Sequence, residues 1–163
     1  MEIAQTKIAN ICIAFCTERE LDQLVRAEAQ ESPRTRYIIV RGQRCADEAS
    51  LFAEWAAALQ FPYYFGNTWD ELDNCLGKLE WLAKPGYEAL TVAIANVDRI
   101  LEDFPERWPT LLSILSTAPV DLRSGNDTPI RFLLHCSPER RDATMLALSI
   151  GGLDPIENLS TCA

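Results

Sequence analysis

LTVAIANV, residues 90–97, carries no charge and mixes β-branched with small apolar residues. Eight residues are too few for a buried helix and suit a strand covered on both faces. Working outward, residues 8–16 form a second apolar run, residues 37–40 a third bounded by Gly42, and Ile130–Cys136 (IRFLLHC) a fourth. Helical patterns separate these runs. Thr17 and Glu20 make a T-x-x-E capping box for a helix through about residue 30, with Leu21, Leu24 and Val25 on one face, ended by Ser32-Pro33. Residues 47–59 bring Leu51, Phe52, Trp55 and Leu59 inward, and Pro62 stops them. Pro85-Gly86 marks a turn. Pro105 and Pro109 lead into a helix through about residue 122, carrying Leu111, Leu112 and Leu115. Gly125-Asn126 breaks the chain, residues 138–148 form a last helix, Gly151-Gly152 is a turn, and the tail to Ala163 shows no strong pattern. Strands alternating with helices predict an α/β fold with a small parallel sheet of three to four strands covered by helices. With no repeat or linker, residues 1–163 read as a single domain.

The net charge of −9 disfavours direct contact with nucleic acid or a membrane surface, both anionic, and favours a basic protein as partner. The excess is local: residues 61–107 hold nine acids against four bases, net −5. Cys12, Cys16, Cys45, Cys75, Cys136 and Cys162 could suggest disulfides. However, MEIAQTKIAN lacks a basic region followed by an apolar run, and ICIAFC and FLLHC place thiols inside apolar runs. Reduced thiols and a cytoplasmic location are expected.

The acid is concentrated around FPYYFGNTWDELDNCLGKLEWL, residues 61–82. Thr68 and Glu71 repeat the T-x-x-E box. Leu72, Cys75, Leu76 and Leu79, at i, i+3, i+4 and i+7, form a buried face. The opposite stripe is Asp70, Asp73, Asn74 and Gly77, with no basic residue among them. Gly77 costs about 1 kcal/mol inside a helix but lets another backbone approach. Tyr63 and Tyr64 sit in the turn before the helix, and aromatics beside anchored carboxylates are what a protein-binding hot spot needs. The plain alternative is a solvated acidic face, since Asp70 and Glu71 in a first turn favour the helix dipole with no partner at all.

Taken in order, Y-Y-F-G-N-x-W-D-x-L-D-x-C-L after a helix ending in L-x-F-P resembles the barstar family of ribonuclease inhibitors. The resemblance covers roughly residues 37–136, with 1–36 as an N-terminal strand–helix extension and 137–163 as a C-terminal helix and tail. It implies a three-layer sandwich whose acidic loop and following helix plug the active site of a small basic ribonuclease, carboxylates standing where substrate phosphate would lie. Carried over by position, Tyr64 is the turn tyrosine, Thr68 and Trp69 are helix-start contacts and Asp70 is the first inhibitory aspartate. The second falls on Asn74, an amide that accepts a hydrogen bond but cannot neutralise an arginine. Asp73 stands where the barnase inhibitor has a tryptophan. The implied partner is a small basic ribonuclease or other nuclease-type toxin, bound 1:1 with no cofactor and no catalysis.

His135 and Cys136 are adjacent on a strand, so they point to opposite faces and cannot form a dyad. Cys12 and Cys16 lack a second ligand pair for zinc. Asp98, Glu102 and Asp103 follow the central strand, where α/β enzymes place ligands, and could hold magnesium; the enzyme alternative is a small α/β hydrolase or metal-dependent enzyme using Asp98 and Glu102. Asn74 motivates a second alternative, an immunity protein of the same fold against a different class of toxin. A third is an acidic adaptor for any basic protein.

Overall fold

The four runs read as strands lie side by side in one parallel array, and two further strands extend it. The computed structural model describes residues 1–6, 10–79, 81–82, 86–118 and 129–153, and the backbone of 155–160. In chain order the elements are β1 (Glu2–Thr6), β2 (Ile11–Phe15), α1 (Glu18–Glu31), β3 (Thr35–Arg41), α2 (Glu48–Ala58), α3 (Trp69–Lys78), β4 (Ala89–Ala95), α4 (Trp108–Thr117), β5 (Ile130–Cys136), α5 (Arg141–Ile150) and β6 (Pro155–Ser160). They form a six-stranded sheet in the order β3-β4-β5-β2-β1-β6. β3, β4, β5 and β2 are mutually parallel, while β1 pairs antiparallel with β2 and β6 antiparallel with β1.

The sheet is therefore larger than the three to four strands expected. The addition is an antiparallel edge built from both chain ends. EIAQT pairs through its backbone with β2, and the tail that reads as patternless supplies β6. The N-terminal segment is also no appendage to the sheet: β2 pairs with β5 along five residues and lies in its interior.

Strand alternation sorts the core by size. Ile11, Ile13 and Phe15, Val92 and Ile94, and Phe132 and Leu134 all face one side, where they meet Trp55 of α2, Leu72 and Leu76 of α3, Leu111 and Leu115 of α4, and Leu148 of α5. Cys12, Ala14 and Cys16, Ala93 and Ala95, and Leu133 face the other, where Leu21 and Val25 of α1 cover them. Small side chains let a single helix cover that face, whereas the large ones need four helices. The result is the α/β/α layering expected, with helices on both faces.

Local chemistry fixes the helix starts. Thr17 Oγ1 accepts from Glu20 N–H at 3.2 Å and Thr17 N–H donates to the Glu20 carboxylate at 2.8 Å, completing the expected box. Asp47 does the same for α2 with Ser50. The helix after Pro105 starts at Trp108, with Pro109 inside its first turn, and runs to Thr117. Residues 119–122, the Gly125-Asn126 break, Pro85 and Cys162 lie outside the described residues. The last helix begins at Arg141, three residues later than expected, because Pro138–Arg140 forms a 3₁₀ turn first. Among the described residues no helix is long and apolar enough to cross a membrane.

Gly42, between β3 and α2, is required by packing. A Cβ there would lie 2.3 Å from the Asn96 carbonyl oxygen and 2.5 Å from that of Ala95. Glu54 of α2, buried, then ties that helix to the edge strand. It accepts from Arg41 Nε at 2.8 Å, Arg41 Nη2 at 2.9 Å and the Arg41 backbone N–H at 3.1 Å, and the arginine holds its carboxyl below the usual glutamate value.

Candidate functional site

The chain leaves α2 through Gln60 in the left-handed region (φ 53°) and enters a turn closed by Phe65 N–H donating to the Pro62 carbonyl at 3.0 Å. Tyr63 and Tyr64 are the central residues of that turn and project outward, 99% and 70% exposed, with ring centroids 5.5 Å apart in an edge-on pair. Phe65 turns inward against Phe61 (4.9 Å) and Phe52 (6.2 Å). Trp81 completes the floor by donating Nε1–H to the Leu59 carbonyl at 2.9 Å and packing on Phe61. The exposed tyrosines are thus carried on an aromatic base.

Asn67 is again left-handed (φ 52°), which delivers Thr68 in the extended conformation that an N-cap needs. Thr68 Oγ1 accepts from Glu71 N–H at 3.2 Å. The reciprocal bond expected from Glu71 is not made, so the box is half formed. The Glu71 side chain lies instead beside Gly66, where an added Cβ would meet its Cγ at 3.4 Å. Trp69, the first residue of α3, is half-buried with its ring 5.2 Å from Phe52. Its Nε1 is buried and finds no acceptor among the described residues.

The two faces of α3 divide as the spacing predicts. Leu72, Cys75, Leu76 and Leu79 are buried, and Asp70, Asp73, Asn74 and Gly77 are exposed. A Cβ on Gly77 would meet nothing within 4 Å, so the surface there is open to an approaching backbone. Asp70, Asp73 and Asn74 make no hydrogen bond or ion pair among the described residues. Asp22, Glu28, Glu48, Glu54, Asp98 and Glu102, by contrast, are each held by an arginine. Asp70 and Asp73 also share a groove of about 440 Å³ between α3 and α4, where Trp69 joins them on one side and Thr110 and Ser113 stand on the other. Asn74 does not line that groove. Nothing in the sequence signals the α4 wall, because only tertiary packing brings residues 110 and 113 beside 70 and 73.

The alternative chemistry takes other forms. Asp98 pairs with Arg140 at 3.3 Å, and Glu102 accepts from Arg99 at 2.8 and 3.1 Å. Among the described residues no three histidine, cysteine or acidic side chains converge on a metal position. His135 and Cys136 do face opposite ways, the thiol into the large core. The imidazole is fully buried. Its Nδ1 accepts the Asn96 backbone N–H at 3.0 Å, so Nε2 carries the proton and donates to the Cys16 carbonyl at 2.9 Å. This ring pins the ends of β4 and β2 across β5. The described cysteines are all free and buried, and burial pushes the Cys45 thiol up to about 12.

The fold and the site together define a class: an α/β protein whose α3 carries an exposed anionic face. Comparison narrows that class to a family. Residues 35–135 match the family described as Barstar (barnase inhibitor), and the chain belongs to it. A comparison with individual curated proteins found no match. Family membership places this protein among barnase-inhibitor or immunity-type proteins, whose partners are nucleases.

Proposed function

We propose that the chain is a stoichiometric inhibitor that acts inside the cell producing it and blocks a small basic ribonuclease in a 1:1 complex. It seats α3 and the tyrosine turn in the nuclease active site. Tyr64, Thr68, Trp69, Asp70, Asp73, Asn74 and Gly77 form the contact surface, and Asp70 and Asp73 take the place of substrate phosphate. The observation that carries this reading is the pair of exposed carboxylates, unpartnered among the described residues, on a helix anchored at its start by the Phe52–Trp69 contact. Charges left unpaired on a well-supported element are available to an outside cation without first breaking an internal bond.

The test is a titration of the chain into barnase while RNA hydrolysis is followed. Activity should fall linearly to zero at one equivalent, and Asp70→Ala, which leaves the buried face intact, should lose inhibition while keeping the helical signal. Undiminished hydrolysis in the presence of excess chain would overturn the barnase-type reading. A second reading rests on Asn74: an amide at the second inhibitory position fits an immunity protein whose toxin lacks the usual phosphate-binding arginine at that spot.

A further inference from the structure

A groove of about 570 Å³ opens beside the tyrosine turn, lined by Gln60, Pro62, Tyr64 and Trp81. It shares no lining residue with the groove of Asp70 and Asp73, and no charged side chain among the described residues lines it. Its rings are held in place. Trp81 is fixed by its Nε1–H bond to the Leu59 carbonyl at 2.9 Å and by its perpendicular contact with Phe61. Tyr64 is met edge-on by Tyr63, which does not line the groove.

Gln60 is the unexpected member. α2 ends in a Schellman arrangement, in which Phe61 N–H reaches back to the Ala56 carbonyl at 2.9 Å and Gln60 takes the left-handed conformation (φ 53°). Glycine adopts that conformation freely, whereas a glutamine must hold its Cβ against the following carbonyl. The Gln60 side chain is exposed and makes no hydrogen bond among the described residues. Strain kept at a position whose side chain has no internal use points to an outside one.

Two aromatic rings, a proline and a free amide oxygen, set at the start of a segment of net −5, suit a planar cation. Aromatic faces attract a cation, tryptophan best of all, and a guanidinium stacks flat on them. Its stem can lie along Pro62 while Gln60 Oε1 accepts one of its N–H groups. We propose that this groove takes an arginine side chain of the basic partner, so that the α3 carboxylates and the tyrosine turn each hold a separate cation. This rests on the inhibitor reading and adds Gln60 and Trp81 to the contact surface.

Calorimetric titration of the full chain with barnase, beside thermal unfolding of the chain alone, tests it. Gln60→Gly relieves the left-handed backbone and should leave the Tm of the free chain unchanged or higher, while weakening the complex at least about fivefold. A merely structural glutamine would not weaken binding without loss of stability. A singly and then a multiply fluorinated tryptophan at position 81 keeps the Nε1–H bond and nearly the same shape while draining negative charge from the ring face. The Kd should rise stepwise along that series. The same Kd for the unaltered chain, Gln60→Gly and the fluorinated chains would overturn the proposal. So would a loss with Gln60→Gly and none on fluorination, since the groove would then hold an uncharged group. Failure of the unaltered chain to bind barnase would instead overturn the inhibitor reading itself.

Discussion

The rings of Phe52 and Trp69 meet edge to face, 5.2 Å between centroids and inclined by 74°, joining the middle of α2 to the first residue of α3. Edge-to-face geometry suits the aromatic quadrupole and adds about 0.5–1.5 kcal/mol beyond burial. It also sets the direction in which α3 starts, and so where Asp70 and Asp73 point. Trp69→Ala should destabilise the fold by about 2–3 kcal/mol, below the ~3–5 of a fully buried aromatic because Trp69 is half-exposed. Trp69→Phe should cost much less, since the indole Nε1 has no acceptor among the described residues to lose. Urea unfolding of both variants checks this; equal losses would mean that the ring contact is not what holds α3.

Acid should loosen the carboxyl end of the parallel strands before it reaches the carboxylates. Burial lowers the His135 pKa from its ordinary 6.5, outweighing the Cys16 carbonyl and the Glu18 and Asp98 carboxylates, which favour the charged form. The unfolded chain therefore binds the proton first. His135 contributes fully above pH 6.5, and that contribution drains away as pH falls from 6.5 towards the depressed folded value. Protonation in the fold would also break the Nδ1 bond to Asn96 N–H. Glu54, held below its usual 4.5 by Arg41, loses its contribution only at lower pH. Urea midpoints between about pH 7.5 and 5 should fall for the unaltered chain and stay nearly flat for His135→Gln. A flat profile in both would contradict the assignment.

Much of this was legible from local pattern, because local pattern caused it. The i, i+3, i+4, i+7 spacing of Leu72, Cys75, Leu76 and Leu79 dictates which side of α3 is buried, and the polar stripe follows as its complement. Residues 90–95 of LTVAIANV form an interior strand whose two faces are covered by helices, and an uncharged run tolerates that. β1 and β6 were not legible. EIAQT and PIENLS hold too few apolar residues to announce a strand, and what places them is backbone pairing on the far side of β2. The α3–α4 groove escaped for the same kind of reason: Thr110 and Ser113 are unremarkable in sequence and acquire a role only beside Asp70 and Asp73.

Association with a basic nuclease should be electrostatically steered. Residues 61–107 carry net −5, and both groove carboxylates are exposed and unpaired among the described residues. Such a field raises the encounter rate at low salt, and screening shortens its reach to about 10 Å at 0.1 M. Stopped-flow mixing with barnase should show the on-rate falling steeply with ionic strength while the off-rate changes little. An on-rate independent of salt would point to a mainly apolar contact made by the tyrosine turn.

The last prediction concerns position 74, where the resemblance sets an amide at the second inhibitory position. Asp70 and Asp73 border one groove, whereas Asn74, about 100° further round the helix, does not. A partner arginine entering that groove would meet two carboxylates without any contribution from position 74. Asp73→Asn should therefore weaken the complex by about 2–5 kcal/mol, the usual cost of breaking a buried interfacial charge pair. Asn74→Asp should weaken it as well, because the new carboxylate would be desolvated without a partner. If the nuclease instead keeps its arginine opposite position 74, Asn74→Asp will tighten binding and Asp73→Asn will leave it unchanged. Measuring both variants and the double variant against barnase gives the coupling between the two positions. Tighter binding by Asn74→Asp would show that the amide, and not Asp73, marks the partner's key position.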